Sequence, residues 1–211
     1  MLVSGAAAAC FDHLDKMRLA GCFLPAFGLA MREPASRKFI LDAMTRTDAR
    51  VAEDKPINPA FQLAAVLWPA VNTRWQLLAA SRNSDLQAAL DAIEEILHEQ
   101  RGLIPARLTT TMREIWSLQP RFTQRTGRRP HRLLEHPRFR AAYDFLMVRG
   151  AAGEVENDLV DWWTDFQTLD AGGQDALQMQ LTEPAASAPK KRRRRRKPSE
   201  KGAASPVTTH D

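Results

Sequence analysis

Arginine is the residue type whose number and spacing point most directly to chemistry in this 211-residue chain. Nine arginines and no lysine fall between residues 107 and 140, a stretch we call the arginine block. A planar guanidinium can make two parallel hydrogen bonds to a phosphate and can stack on a base, whereas lysine acts as a point charge. Thr109, Thr110 and Thr111 add neutral hydroxyl donors beside it. The composition therefore predicts contacts to an RNA or DNA backbone. The candidate side chains are Arg107, Arg113, Arg121, Arg125, Arg128, Arg129, Arg132, Arg138 and Arg140.

A second basic element lies in residues 184–211, which we call the basic tail. Eight consecutive cations stand in it: Lys190, Lys191, Arg192, Arg193, Arg194, Arg195, Arg196 and Lys197. Because like charges repel, this run should stay extended, and it would attract RNA, DNA, an anionic membrane or an acidic protein. No aromatic residue flanks it. The tail is therefore predicted to supply affinity and capture without choosing a nucleic-acid sequence.

The charge along the chain leaves an alternative open for the arginine block. Residues 101–149 carry a net charge of +8, and residues 150–183, the acidic segment, carry −8. The first hundred residues are nearly neutral at −2, the basic tail is +7, and the whole chain is +5. The two opposite stretches could pair with each other inside the protein instead of binding a nucleic acid.

Motifs for catalysis or for metal binding are missing from the sequence. It has no glycine-rich phosphate loop, no GxSxG, no HExxH and no DxD pair, and its five histidines are scattered. Acidic residues at 154, 156, 158, 161 and 165 could imitate a metal site, but a solvated helix face explains them better, because Trp162 and Trp163 mark the buried side. Cys10 and Cys22 are too few for a disulfide framework or for a cysteine-based zinc site.

The sequence also predicts where the protein resides. No apolar run reaches the roughly 20 residues that a membrane-spanning helix needs. The apolar start MLVSGAAAACF has no positive charge before it, so we do not interpret it as a secretory signal. We therefore expect a cytoplasmic protein that does not bind membranes.

Helical spacing of apolar residues runs through most of the chain and predicts an all-α fold with no internal repeat. We expect helices from 6 to 20, ended by Gly21, and from Pro34 onward. Another should start at Asn58-Pro59 and be kinked or ended by Pro69. The clearest helix runs from 84 to 100, with Leu86, Leu90, Ile93 and Leu97 as its core stripe and Gly102 as its stop.

The second half is predicted to be helical as well, with breaks at prolines. Met112, Ile115, Trp116 and Gln119 share one helix face, which Pro120 interrupts. A further helix from about Pro130 is split by Pro137, and the last runs from about 155 to 169. The composition of the basic tail predicts disorder. We therefore divide the chain into a helical part at 1–102, a second helical part at 103–183 and the tail at 184–211.

Four stretches resemble the C-terminal half of bacterial poly(A) polymerases, which are polynucleotide adenylyltransferases related to the CCA-adding enzymes. They are TRTDARVAEDKPINPAFQLAAVLW, IPARLTTTMREIWSLQPRF, GRRPHRLLEHPRFRAAYDFL and DWWTDFQ, in this order and followed by an arginine-rich tail. The third is the most specific. The resemblance extends from about residue 10 to residue 197.

The resemblance implies a helical neck and body, an RNA-binding region, RNA as the ligand, and a DEAD-box RNA helicase or other RNA-decay proteins as partners. In the family, AMP is transferred from ATP to an RNA 3′ end, and two magnesium ions held by carboxylates of a head domain activate the 3′ hydroxyl. That head is absent from these residues, so no catalytic residue, metal ligand or cofactor is assigned to this chain. Only the RNA-contact role carries over, to the arginines of the arginine block and to the cations of the basic tail.

Two hypotheses follow from the resemblance. The chain is the RNA-binding C-terminal portion of a poly(A) polymerase, inactive alone, or it is a free-standing RNA-binding adaptor without enzymatic activity.

Overall fold

The computed structural model describes residues 5–82 and 84–182, and this part of the chain is helical without any strand. A lone bridge between Arg101 and Ile104 is its one β-type pairing. The predicted all-α fold is therefore confirmed, while the basic tail lies outside the described residues. The helices are α1 (Ala7–Lys16), α2 (Ala20–Phe23), α3 (Pro25–Ala30), α4 (Pro34–Ala52), α5 (Pro59–Ala79), α6 (Asp85–Glu99), α7 (Ala106–Leu118), a 3-10 turn (Gln119–Arg121), α8 (Arg129–Leu134), α9 (Phe139–Ala151), α10 (Asn157–Phe166) and α11 (Ala171–Thr182).

Side-chain caps fix the starts of three long helices. The Glu33 carboxylate accepts hydrogen bonds from the backbone N–H groups of Ala35 and Ser36 at the start of α4. The Asn58 side-chain oxygen accepts one from the Ala60 N–H at 2.9 Å, as the sequence predicts for α5. Ser84 does the same for the Gln87 N–H at the start of α6. Each cap satisfies an N–H group that has no partner within its helix.

One predicted helix end is wrong, and of the two alternatives for Pro69, a kink or an end, the end is excluded. Gly21 does not end α1, because α1 already ends at Lys16, where Arg18 adopts a left-handed φ of 58°, and Gly21 lies inside α2. Pro69 does not end α5, which continues through it to Ala79. Pro69 is buried in a helix that packs along α6, so tertiary packing outweighs the missing N–H.

Two clusters of buried side chains form the core. The larger surrounds α5 and α4, and its aromatic centre is Trp68, whose ring meets Phe145 edge to face at a centroid distance of 5.2 Å. The smaller lies under the arginine block, where Trp163 contacts Phe122 in the same way at 5.1 Å. The Trp163 indole N–H donates to the Phe122 carbonyl at 2.8 Å. Helices α7 and α9 contribute side chains to both clusters.

The second half follows the predicted breaks with two differences. Pro120 converts the end of α7 into a 3-10 turn, and α8 ends before Pro137. The last predicted helix is shorter, Asn157–Phe166, and α11 was not predicted at all. In α6 the predicted stripe is half right: Ile93 and Leu97 are buried, whereas Leu86 and Leu90 are only half-buried. No helix among the described residues combines the length and the apolar character needed to cross a membrane.

Candidate nucleic-acid interface

The arginine block runs over four consecutive elements of the fold. Arg107 and Arg113 lie on α7, and Arg121 closes the 3-10 turn. Arg125 and Arg128 belong to the connection that follows. The remaining four stand on or next to helices α8 and α9: Arg129, Arg132, Arg138 and Arg140.

Arg113 is held by a carboxylate from α6. Its Nε and Nη2 atoms donate to the two oxygens of Glu94 at 2.6 and 3.0 Å, a bidentate pair. The hydrogen bond from Arg113 holds the pKa of the Glu94 carboxyl below its usual value of 4.5, and the same bond raises the pKa of Arg113. The pair fixes this guanidinium against the body of the protein.

Three further arginines of the block also have acidic neighbours. Arg125 Nη1 lies 2.7 Å from a carboxylate oxygen of Asp158, and its guanidinium lies 5.9 Å from the Trp162 ring centroid. Two more ion pairs involve arginines at the start of α9. These are Arg138–Glu114 at 2.7 Å and Arg140–Asp144 at 3.1 Å.

Five arginines of the block have no hydrogen bond or ion pair from their side chains to any described residue, and all five are exposed. They are Arg107, Arg121, Arg128, Arg129 and Arg132. A guanidinium without an internal acceptor keeps all five of its donors available for an external anion. These side chains are the part of the block best suited to phosphate oxygens.

Two of the three threonines beside the block, Thr109 and Thr110, do not provide the predicted extra donors. The hydroxyls of Thr109 and Thr110 donate to the carbonyl of Ala106 at 2.9 and 3.1 Å. Hydroxyl groups in a helix commonly bond to the carbonyl of the preceding turn, and this leaves no proton for a ligand.

Internal pairing of the arginine block with the acidic segment is limited to one of its nine arginines, Arg125, among the described residues. A second link comes from Arg149, which lies outside the block and donates to Glu154 at 3.2 Å. Asp161 and Asp165 are exposed, as a solvated acidic face requires. The equal and opposite charges of the two stretches therefore do not reflect an extensive network of pairs.

Arg149 has a different role from the exposed arginines. Its side chain is only 8% exposed, and its guanidinium lies 4.7 Å from the Trp68 ring centroid. It donates to Gln119 at 3.3 Å, while Trp68 donates its indole N–H to Glu154 at 2.7 Å. Burial lowers the pKa of Arg149, and the Glu154 carboxylate opposes this effect. This group of side chains ties α5 to α9 and is part of the core.

Sequence reasoning missed two arginines that lie near the block in space. Arg46 and Arg50, on α4, line a groove of about 640 Å³ together with Arg138 and Arg140. The two are four residues apart on one helix and thus share a face, which is a signal that the sequence contains. Their proximity to α9 is set by tertiary packing and could not be read from it. We call this cavity the α4–α9 groove.

Within the described residues, no three histidine, cysteine, aspartate or glutamate side chains come together in a way that could hold a metal ion. The basic tail, with its eight cations at 190–197, lies outside the described residues.

The geometry defines an all-helical protein that carries an exposed, arginine-rich surface over an aromatic core. Residues 81–198 match the family described as polymerase A arginine-rich C-terminus, and the chain belongs to that family. It is 40% identical over 154 residues to Poly(A) polymerase I of Escherichia coli O6:H1, which covers 69% of this chain and 32% of that protein.

Other relatives agree. Poly(A) polymerase I of Salmonella typhi is 33% identical over 190 residues, covering 83% of this chain and 40% of the relative. The protein of the same name from Haemophilus influenzae is 35% identical over 148 residues, covering 68% and 33%. The chain thus spans about a third of the length of the curated relatives it matches.

Proposed function

We propose that this chain is the RNA-binding C-terminal portion of a bacterial poly(A) polymerase. In this role its helical body and arginines hold RNA upstream of the 3′ end, to which AMP is added from ATP without a template. We assign no catalytic residue, no magnesium ligand and no ATP contact to the described residues. RNA-decay proteins such as a DEAD-box helicase are the proposed partners.

The observation that carries the proposal is the set of exposed arginines without internal partners. All five lie within residues 81–198, the part matched by the family. Their guanidinium groups suit the phosphates of a flexible strand, since each can make two parallel hydrogen bonds. Five exposed cations without a described ion pair give this region a positive potential, which favours an anionic partner.

Equilibrium binding of labelled oligo(A) RNA to the full chain tests the proposal. Replacing Arg128 and Arg132 by glutamine should weaken binding by roughly tenfold and should reduce the steepness of its salt dependence, by about 0.7 for each lost phosphate contact. The matched control is the double replacement of Arg32 and Arg101 by glutamine. Both are exposed cations outside the arginine block, without a described side-chain partner.

If the wild-type chain binds RNA and both double variants weaken binding equally, only net charge matters. If the wild-type chain does not bind RNA, the proposal is refuted. We also expect no ATP-dependent lengthening of an oligo(A) primer by the pure chain. If the pure chain lengthened the primer, its own residues would transfer AMP, and this would contradict the proposal.

The second candidate function is that of a free-standing RNA-binding adaptor. The two candidates differ in the size of the native protein. An antibody to this chain, used on its own cells, should recover a species well above 23.7 kDa if the chain is part of a polymerase. A species of 23.7 kDa would favour the adaptor.

A further inference from the structure

The α4–α9 groove has no role in the proposed function as stated above. One wall is the C-terminal half of α4 with the connection to α5 and the first turn of α5, and the other is α9 from its start to Val148. Its volume of about 640 Å³ falls within the range of about 300–1,000 Å³ that is usual for small-ligand sites. Two segments that are far apart in sequence therefore enclose a cavity large enough for a nucleotide unit.

The rim of the groove has more positive than negative charge. Arg46 is exposed and has no described side-chain partner. Arg50 and Arg140 share a single carboxylate, that of Asp144, at 4.0 and 3.1 Å. One carboxylate cannot neutralise two guanidinium groups, so positive charge remains on both sides of the opening.

The other charged groups of the groove are already paired. Arg138 lies 2.7 Å from Glu114, and Glu53 lies 2.5 Å from Lys55. These pairs contribute little net charge. Arg46, Arg50 and Arg140 are thus the cations with capacity for a further anion.

Thr47 and Gln62 also line the groove, whose apolar part, here called its floor, is held in place. Ile57, Phe61, Ala141 and Met147 line it, and the Phe61 ring packs edge to face on Phe145 at 5.7 Å. Tyr143 also lines the groove, and its hydroxyl is 2.7 Å from the Thr164 hydroxyl, which fixes the ring. An apolar floor below guanidinium groups suits a flat base with a phosphate attached.

We infer that the α4–α9 groove binds a nucleotide of single-stranded RNA, with its phosphates on Arg46 and Arg140 and its base against Ile57 and Phe61. The inference rests on the proposed function and adds a base-accepting site to it. A duplex keeps its bases stacked inside, so the groove discriminates in favour of single strands. A poly-glutamate chain would match the charge of the rim but has no flat apolar group for the floor.

The first experiment measures binding of labelled oligo(A) RNA to the full chain by fluorescence anisotropy. Changing Arg46 and Arg140 together to glutamine should weaken binding by roughly tenfold, because two phosphate contacts are lost. The control is again the double replacement of Arg32 and Arg101. If the wild-type chain binds RNA and the groove variant behaves like the control, the groove is not an RNA site, although the proposed function stands. If the wild-type chain does not bind RNA, both are refuted.

The second experiment separates the base from the phosphates. The wild-type chain should bind oligo(A) more tightly than an abasic strand of equal length, by about fivefold or more for one stacked base. Ile57→Ser should reduce this preference without changing the affinity for the abasic strand, and Ile57→Val should preserve it. Equal binding of both strands by the wild-type chain would overturn base insertion. If poly-glutamate at equal charge concentration displaces bound RNA from the groove, and the chain shows no preference for oligo(A), the occupant is an acidic protein segment instead.

Discussion

Individual arginines in this chain have different roles, which depend on the side chains around them. Arg149 is enclosed by Trp68, Gln119 and Glu154, so its charge is compensated within the core and is not accessible to a ligand. Arg132, in contrast, is exposed and has no described partner. A buried guanidinium is tolerated only where hydrogen bonds and an opposite charge offset its lost hydration. Burial and pairing thus separate the arginines of the fold from those available to RNA.

The pair between Arg113 and Glu94 leads to a pH prediction. Arg113→Gln should raise the pKa of Glu94 toward its usual 4.5, since the hydrogen bond that lowers it is removed. Because the Glu94 pKa is lower in the folded state, the pair stabilises the wild-type fold above pH 4.5, and this contribution is lost as the pH falls through the depressed pKa.

NMR titration of the Glu94 carboxyl in the wild-type and variant chains measures the shift directly. Arg107→Gln is the control, since Arg107 is on the same helix and has no described acidic partner. An unchanged Glu94 pKa in Arg113→Gln would show that the pair is not formed in solution.

The arginines and their spacing can be read from the sequence, but the acidic residues that pair with them could not be predicted from it. Glu94 lies 19 residues from Arg113, and Asp158 lies 33 residues from Arg125. Such pairs depend on how helices pack, and nothing in the local spacing distinguishes a paired arginine from an unpaired one. The groove was missed for the same reason, since Arg46 and Arg140 meet only through tertiary contacts.

At the scale of helices, the sequence predicts starts better than ends. The caps of Asn58 and Ser84 are local signals, and both are present in the structure. Whether Pro69 ends its helix depends on packing against a neighbouring helix. Helix α11 has two glycines in its first turn and no clear apolar stripe. Helix α11 is instead joined to the core by Gln174, whose side-chain amide donates to the carbonyls of Phe166 and Leu169. An anchor made by one polar side chain has no signature in apolar periodicity.

The close contact of α9 with α10 gives a prediction at this scale. A Cβ atom on Gly150 would lie 2.6 Å from Cγ2 of Val160, too close without a shift of the two helices. Gly150→Ala should therefore destabilise the fold by about 1–3 kcal/mol, despite the better helix propensity of alanine. Chemical denaturation measures the change.

A double-mutant cycle identifies the cause. Val160→Ala removes the obstructing methyl groups, so the double variant should lose less stability than the sum of the two single variants. Gly172→Ala is the matched control in α11, where the added methyl meets nothing closer than 3.9 Å. It should be neutral or stabilising by about 0.5–1 kcal/mol. Additive effects of Gly150→Ala and Val160→Ala would contradict steric contact as the cause.

For the whole molecule, the two clusters of the core are connected rather than independent. Gln119 donates to the carbonyl of Ile115 and to that of Ala142, and it accepts from Arg149. Ile115 belongs to the larger cluster and Ala142 to the smaller. The separation into parts at residues 102 and 103 stays a prediction, as does the cytoplasmic location.

Deletion of the basic tail tests how the body and the tail share RNA binding. Removing residues 184–211 should lower RNA affinity and flatten its salt dependence, because the eight consecutive cations at 190–197 are lost. The helical circular-dichroism signal should be unchanged, since the described helices end at Thr182. A truncated chain with full affinity would assign binding to the body alone and leave the tail a role in solubility or partner contact.

The walls of the α4–α9 groove also have a consequence for the order of events during folding. Arg46 and Arg140 are separated by more than ninety residues of chain. Helices form locally and quickly, whereas contacts between distant segments must first overcome the entropy of closing a long loop. The groove can therefore exist only after the two halves of the chain have docked. The arginines of the groove therefore carry their charge before the chain folds, whereas a place for a base forms only on docking.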